Sequence, residues 1–292
     1  MLAHALAVSA PRAWTWKTVV PSSRALELTD EQYRTAARMN LRLQPTEGAA
    51  CLPDECPFCQ RGDAVRRDRW HFLSCRPLRR GEVTMRHDAV VGALYHAALV
   101  LGVQAVREPK GLAVNQLRPD LRLVFPGQQV LVDVVVSHPL APGYIHNGKG
   151  LRMLGVAKAK QTTKRRKYAQ TAAQHNALML PFSLETCGGM APEALQLLKL
   201  MGQAGEEHLA LWPRGEVVRY LVGAVAMAVQ RGTATAYLTA HAKAVAMGSV
   251  WGGGRAKDVA EAEEEAEGEE AEEETEEQEE AEEDGLRGEA TE

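Results

Sequence analysis

Apolar residues take up helical spacing from about Thr84, where Val90, Val91, Leu94, Ala97, Ala98 and then Val100 or Leu101 recur on one stripe. This predicts a helix running to the Gly102 region. The period then shortens. Val103–Arg107, Leu121–Phe125 and Val130–Val136 are β-type runs, and Pro126-Gly127, a turn pair, separates the last two. They are expected to form an antiparallel hairpin. Gly150–His175 follows as a basic helix, Leu178–Leu184 as a further strand, and Ala191–Met201 and Val217–Ala246 as helices. Upstream, Thr29-Asp30-Glu31-Gln32 has the form of a capping box and opens a helix through about Leu43. Helix, three strands, helix, strand, helix is the order of an α/β fold with a short mixed sheet flanked by helices.

Two stretches lack any period. Residues 44–80 carry Pro, Gly, Asp and Cys at turn-like intervals, as in an element organised by an ion rather than by a core. From Gly252-Gly253-Gly254 the chain becomes a linker and then a Glu/Ala tail with too little apolar surface to fold alone. The expected organisation is a helical lead-in over 1–50, a metal-binding knuckle over 51–81, an α/β core over 82–205, helices over 206–250 and a disordered acidic tail over 251–292. No internal repeat is visible. The apolar run Tyr220–Val229 is far short of the roughly 20 residues that span a bilayer.

Charge changes this picture. The net charge of -4 hides an uneven distribution, because residues 258–292 hold 20 acidic residues and one basic one, Arg287. Residues 1–257 then carry 33 basic against 18 acidic side chains, a net of +15. A body that basic attracts polyanions, and nucleic acid is the leading partner class: DNA, with RNA as the alternative. The tail is expected to compete intramolecularly for the basic face or to bind basic proteins. Five cysteines, three of them clustered beside a histidine, do not make a secreted disulfide framework, so a reducing compartment is expected. Met1–Val8 is apolar but lacks a basic leader, so secretion is not expected.

The clustered cysteines form the first candidate site. Cys56-Pro57-Phe58-Cys59 and His71-Phe72-Leu73-Ser74-Cys75 give C-x-x-C, a gap of eleven, then H-x-x-x-C. Three thiolates and an imidazole suit tetrahedral zinc, and four protein ligands leave no open position, so the role is structural. The rival is a set of core cysteines with a chance histidine. Cys51 is near enough in sequence to substitute as a ligand, whereas Cys187 reads as a buried thiol. Arg61, Arg66, Arg67, Arg69, Arg76, Arg79 and Arg80 surround the knuckle, with Phe58 and Trp70 interleaved. The expectation is phosphate neutralisation with an aromatic ring stacked on a base.

The second candidate site joins Glu108-Pro109, Arg118-Pro119-Asp120, Asp133, and a helix bearing Lys160, Lys164, Lys167 and Tyr168. Asp120 and Asp133, at facing ends of a hairpin, could converge on one magnesium ion. Asp133 interrupts a run apolar on both faces, and a charge buried that way needs a partner. The bland reading is a solvated turn acid plus an edge-strand acid. The three lysines, at i, i+4 and i+7, share a helical face from which one could orient water or balance charge.

The succession CPFC, HFLSC, RHDAVV, EP, RPDL, LVDVVVSHP, KRRKY and PFSLETCGG resembles the C-terminal part of non-LTR retrotransposon proteins, where a zinc knuckle precedes a restriction-like endonuclease of the PD-(D/E)xK type. The resemblance spans roughly residues 20–205 and rests on the order and spacing of many short motifs. It implies a restriction-endonuclease-like core and divalent-metal-dependent nicking of DNA, with magnesium or manganese as the catalytic ion and zinc as the structural one. It also implies a nuclear location. Asp120 and Asp133 would be the metal-binding acids and Glu108 the upstream acid. Lys164 and Lys167 with Tyr168 would match the element that supplies the lysine. The usual lysine position, two residues after the second acid, is Val135, so the lysine must come from the following helix. No Y-x-D-D polymerase signature occurs in these residues, which suggests a truncated element or a stand-alone descendant without a reverse transcriptase. The rival readings are an inactive nucleic-acid-binding remnant and an interaction protein that works through its acidic tail.

The remaining candidates have plainer readings. Arg86-His87-Asp88 matches an element of the resemblance and so has a functional reading, beside the plainer one of a surface histidine and a helix-dipole aspartate. Glu185-Thr186 either supports a metal-bound water or caps a turn. His138 is expected to pack or to bond within a turn, and Trp14, Trp16, Trp212 and Trp251 to be core or docking aromatics.

Overall fold

The computed structural model describes residues 1–43, 55–62, 64–111, 117–209 and 212–250. Met1–Ala246 form one compact unit. Met247–Glu292 form a second, whose described part is the end of the last helix. Cys51, Trp251 and the acidic tail lie outside the described residues.

The chain opens with α1 (Leu2–Val8), which the sequence reading did not anticipate, and α2 (Asp30–Asn40). The capping box forms as expected: the Gln32 amide donates to Thr29 Oγ1 at 3.2 Å, and the Thr29 amide donates to Gln32 Oε1 at 3.0 Å. α2 stops short of Leu43 because Arg42 turns into the left-handed region at φ 57°. The amides of Arg42 and Leu43 then close back onto Met39 and Arg38 in a Schellman arrangement. After α3 (Ala64–Arg67), α4 runs over Glu82–Val100 and ends in the same way. There Gly102, at φ 71°, is the left-handed residue, and a Cβ on it would sit 2.6 Å from the His208 ring.

Four strands follow: β1 (Gln104–Arg107), β2 (Leu121–Phe125), β3 (Gln128–Ser137) and β4 (Ala177–Glu185), in the order β1-β2-β3-β4. β1, β2 and β3 are antiparallel, and β3 and β4 are parallel, so the sheet is mixed. The β2–β3 corner is Pro126-Gly127, with Gly127 at φ 73°, as the second corner position of a type II turn requires. The parallel return needs a long crossover, supplied by α5 (Pro142–His146) and α6 (Gly155–Gln174). α6 starts five residues later than expected, because Lys149–Leu151 form a separate 3-10 turn. A Cβ at Gly155 would lie 2.2 Å from the Lys149 carbonyl, which fixes that tight entry. α7 (Pro192–Leu209) and α8 (Arg214–Val250) both outrun their sequence-predicted ends.

Covering helices explain the continuous apolar run in β3. Val130, Val132, Val134 and Val136 face a core shared with Leu121 and Leu123, with Val90 and Leu94 of α4, Leu197 of α7 and Val225 of α8. The alternate residues face α6, where Leu131 and Met179 meet Tyr168 and Ala172. A further cluster joins Trp70, Phe72, Leu73 and Leu78 to Met39 of α2 and to Tyr237, Ala240 and Ala244 of α8. Among the described residues, no helix is long and apolar enough to cross a membrane.

Candidate metal centre and candidate active site

Residues 55–62 and 64–81 fold as short turns whose buried Val65, Trp70, Phe72, Leu73 and Leu78 cluster against α8. Tyr237 anchors them: its hydroxyl donates to the Arg69 carbonyl at 3.2 Å, and its ring lies 4.8 Å from that of Trp70. At the centre, ligand atoms of Cys56, Cys59, His71 and Cys75 all lie within 4.8 Å of one another. Cys56 Sγ is 3.7 Å from Cys75 Sγ, and Cys59 Sγ is 3.3 Å from His71 Nε2. A tetrahedral ion with bonds of about 2.3 Å to sulfur and about 2.0 Å to nitrogen would separate its ligands by roughly 3.5–3.8 Å. The donor set therefore fits a single ion of that kind. The sulfurs also compete for negative charge. A hydrogen bond from the Cys75 thiol holds Cys56 down at about 4, while that same bond pushes Cys75 up and burial raises Cys59. A cation among them would relieve this competition.

The acid pair lies where β2 begins and β3 is most buried. Leu121 pairs with Val132, so continuing the register by one residue sets Asp120 opposite Asp133. Asp120 Oδ2 accepts from the Val134 amide at 2.6 Å, in place of a backbone acceptor. Asp133 is 4% exposed and shares the α6 face of β3 with Leu131. Lys164 Nζ lies 3.1 Å from Asp133 Oδ2. The contact is an ion pair without hydrogen-bond alignment, so that buried oxygen still has lone-pair capacity for a cation. Tyr168 closes the group: its hydroxyl donates to the Arg118 carbonyl at 3.1 Å, tying the Arg118-Pro119-Asp120 loop to α6. Burial, with the Asp133 and Asp120 carboxylates nearby, holds that phenol protonated well above its ordinary range.

Not every candidate converges. The Glu108 amide donates to the Asp120 carbonyl at 2.8 Å, but the Glu108 carboxylate turns to Arg118, 2.8 Å away, in an exposed ion pair. Among the described residues, the only group of three or more clustered His, Cys or carboxylate ligands is the Cys56, Cys59, His71, Cys75 set, so Glu108 adds no third oxygen beside the aspartates. Of the three lysines, Lys164 turns toward the sheet, Lys160 is half-buried and Lys167 is exposed.

His87 belongs to the acid pair, although its plainer reading placed it at the surface. Its Nε2 lies 3.1 Å from Asp120 Oδ2 and its Nδ1 3.1 Å from Asp88 Oδ1. Burial opposes its charge, but the Asp120 and Asp88 carboxylates outweigh burial and raise it to about 9, so both ring nitrogens donate at neutral pH. The preceding residue, Arg86, is buried and donates to the Leu73 carbonyl at 2.9 Å. One turn of α4 therefore touches the metal centre through Arg86 and the acid pair through His87. The sequence signal was the Arg86-His87-Asp88 triplet, whose partners lie 13 and 33 residues away in the chain.

Glu185 stands apart, four positions along β4 from Pro181, the partner of Asp133. It accepts from the Ala157 amide at the start of α6 at 3.4 Å, and burial raises it to about 7. His138 is a packing residue, with Nδ1 2.9 Å from Thr186 Oγ1, and burial lowers it to about 3. Trp70, expected to stack on a base, is instead buried against Tyr237. No family model matches this chain, and no curated protein matches it.

Proposed function

We propose that this chain is a divalent-metal-dependent DNA endonuclease that nicks one strand per site, of the restriction-like type carried by non-LTR retrotransposons. What supports the reading is the β2–β3 register, Leu121 with Val132, which extended by one residue sets Asp120 opposite Asp133, together with Lys164 Nζ 3.1 Å from the Asp133 carboxylate. A two-carboxylate end of a mixed sheet with an adjacent ammonium group is a suitable arrangement for phosphodiester hydrolysis. Asp120 and Asp133 would hold magnesium or manganese, which when bound lowers the pKa of water and offsets charge on a phosphate. Lys164 supplies a positive charge at the same point. The His87 imidazolium and the Val134 amide fix the Asp120 carboxylate, and Tyr168 fixes the loop that carries it. The Cys56, Cys59, His71, Cys75 set would hold structural zinc. DNA is the substrate under this reading, RNA a second ligand, and the nucleus the place of action; the acidic tail would compete with nucleic acid for the basic body.

A second reading, an inactive nucleic-acid-binding remnant, is favoured by one observation: Glu108, the third acid of the resemblance, pairs with Arg118 instead of joining the aspartates. Supercoiled plasmid separates the two. With magnesium, the chain should produce nicked circles, and Asp133→Ala should abolish them while zinc content stays unchanged. Full-rate nicking by the variant overturns the site, and absence of nicking by the unaltered chain favours the remnant.

A further inference from the structure

The zinc-type element is small, rich in arginine and aromatic residues, and fixed beside the start of α4. What it presents outward decides what it can recognise. Two of its aromatic residues are spent inside, Trp70 and Phe72 at 5% and 3% exposed, and the half-buried Phe58 packs its ring edge-on against Phe72 at 5.6 Å. Of its described acids, Asp68 turns inward and accepts from the Trp70 amide at 2.9 Å, while Glu55 is exposed at its edge. Outward lie arginines, with Arg61, Arg69 and Arg79 all exposed.

We infer that this element is a sequence-blind clamp for the phosphate backbone of a nucleic-acid duplex. The inference rests on the nucleic-acid reading above and names the partner of the arginine face. Single strands are held largely by bases stacking on aromatic side chains, and this face offers none from Trp70 or Phe72. Duplexes keep their bases stacked within themselves and present two phosphate rows, which arginine grips by charge and by bidentate hydrogen bonding. Contacts of that kind set register and orientation and carry no base identity. The placement is productive. His87, which touches Asp120, is five residues beyond Glu82, about 8 Å along the α4 axis, so a backbone held by Arg79 would lie within a few nucleotides of Asp120.

The test compares the full zinc-loaded chain with Arg61→Gln/Arg69→Gln/Arg79→Gln and with the matching triple Arg→Lys variant. Fluorescence anisotropy is read against sodium chloride on labelled mixed-sequence DNA duplexes, an RNA duplex and a DNA single strand, with calcium replacing magnesium. Each lost phosphate contact flattens the slope of log Kobs against log salt by about 0.9, so the Gln variant should lose about 2 to 3 from the slope and roughly 10²-fold or more in affinity near 0.1 M salt. The loss should be alike on unrelated DNA sequences, and the Lys variant should retain most of the slope. A loss confined to the RNA duplex supports the clamp and identifies RNA as the duplex held. An unchanged slope, a loss on one sequence only, or an equal loss on the single strand overturns the clamp. Plasmid nicking is assayed in parallel with magnesium. Nicking with an unchanged slope sinks the clamp and leaves the nuclease; a flattened slope without nicking does the reverse.

Discussion

Lys164→Met should destabilise the fold far more in the unaltered chain than in an Asp133→Asn background. The asymmetry follows from exposure: the Asp133 side chain is 6% exposed and that of Lys164 26%. Removing Lys164 strands a carboxylate in a strand covered on both faces. Breaking a buried pair in this way costs about 3–5 kcal/mol, and the partial access of water to the lysine side lowers the expectation to about 2–4 kcal/mol. With asparagine at 133 no charge is stranded, and Lys164→Met should cost less than about 1 kcal/mol. The coupling of about 2–3 kcal/mol is read from urea unfolding of the four proteins. A Lys164→Met cost equal in both backgrounds refutes the pairing of these residues.

Two further outcomes are expected. Glu185 is buried with its carboxyl raised to about 7, so the native state holds its proton more tightly than the unfolded state. Stability should fall as pH rises from about 4.5 to about 7, and Glu185→Gln, which can still accept from Ala157, should remove that fall, worth at most about 3 kcal/mol; parallel pH–stability curves for the two proteins would contradict this. Stripping zinc with a chelator should loosen the start of α4 through the Arg86–Leu73 bond and speed hydrogen exchange at the Val134 amide, while Leu180 and Phe182 in β4 stay protected. An unchanged Val134 amide would mean that the metal centre and the acid pair are uncoupled.

The sheet was legible because its signals are local. Val130–Val136 is apolar but for Asp133 and Pro126-Gly127 marks the corner, so β2 was placed at its observed ends and β3 within two residues. Helix ends were harder. α6 was started at Gly150 because the turn Lys149–Leu151 is basic and glycine-bearing like the helix after it, and α8 was shortened because alanine and glycine blur its stripe. One of those glycines has a tertiary purpose: a Cβ at Gly232 would fall 2.5 Å from Arg86 Cα, so α8 crosses α4 closely there. In the candidate site, the cysteine and histidine spacing was legible because metal chelation demands it, and the lysine face because of its helical spacing, but which of Lys160, Lys164 and Lys167 turns to Asp133 was not. His87 was not, because its role depends on β2 passing the first turns of α4. Trp70 was misplaced because alternation with arginine resembles an exposed face, while its partner Tyr237 lies 167 residues on. Glu108, the upstream acid of the resemblance, pairs instead with Arg118, ten residues later.

The central claim, one hard cation shared by Asp120 and Asp133, is tested most directly by ferrous ion and peroxide on the zinc-loaded chain. Hydroxyl radicals formed at a bound ion cut the nearest backbone. The account predicts breaks beside Asp120 and Asp133 that magnesium suppresses and Asp133→Ala removes. Breaks elsewhere, or breaks at these positions that neither magnesium nor the substitution changes, would contradict it.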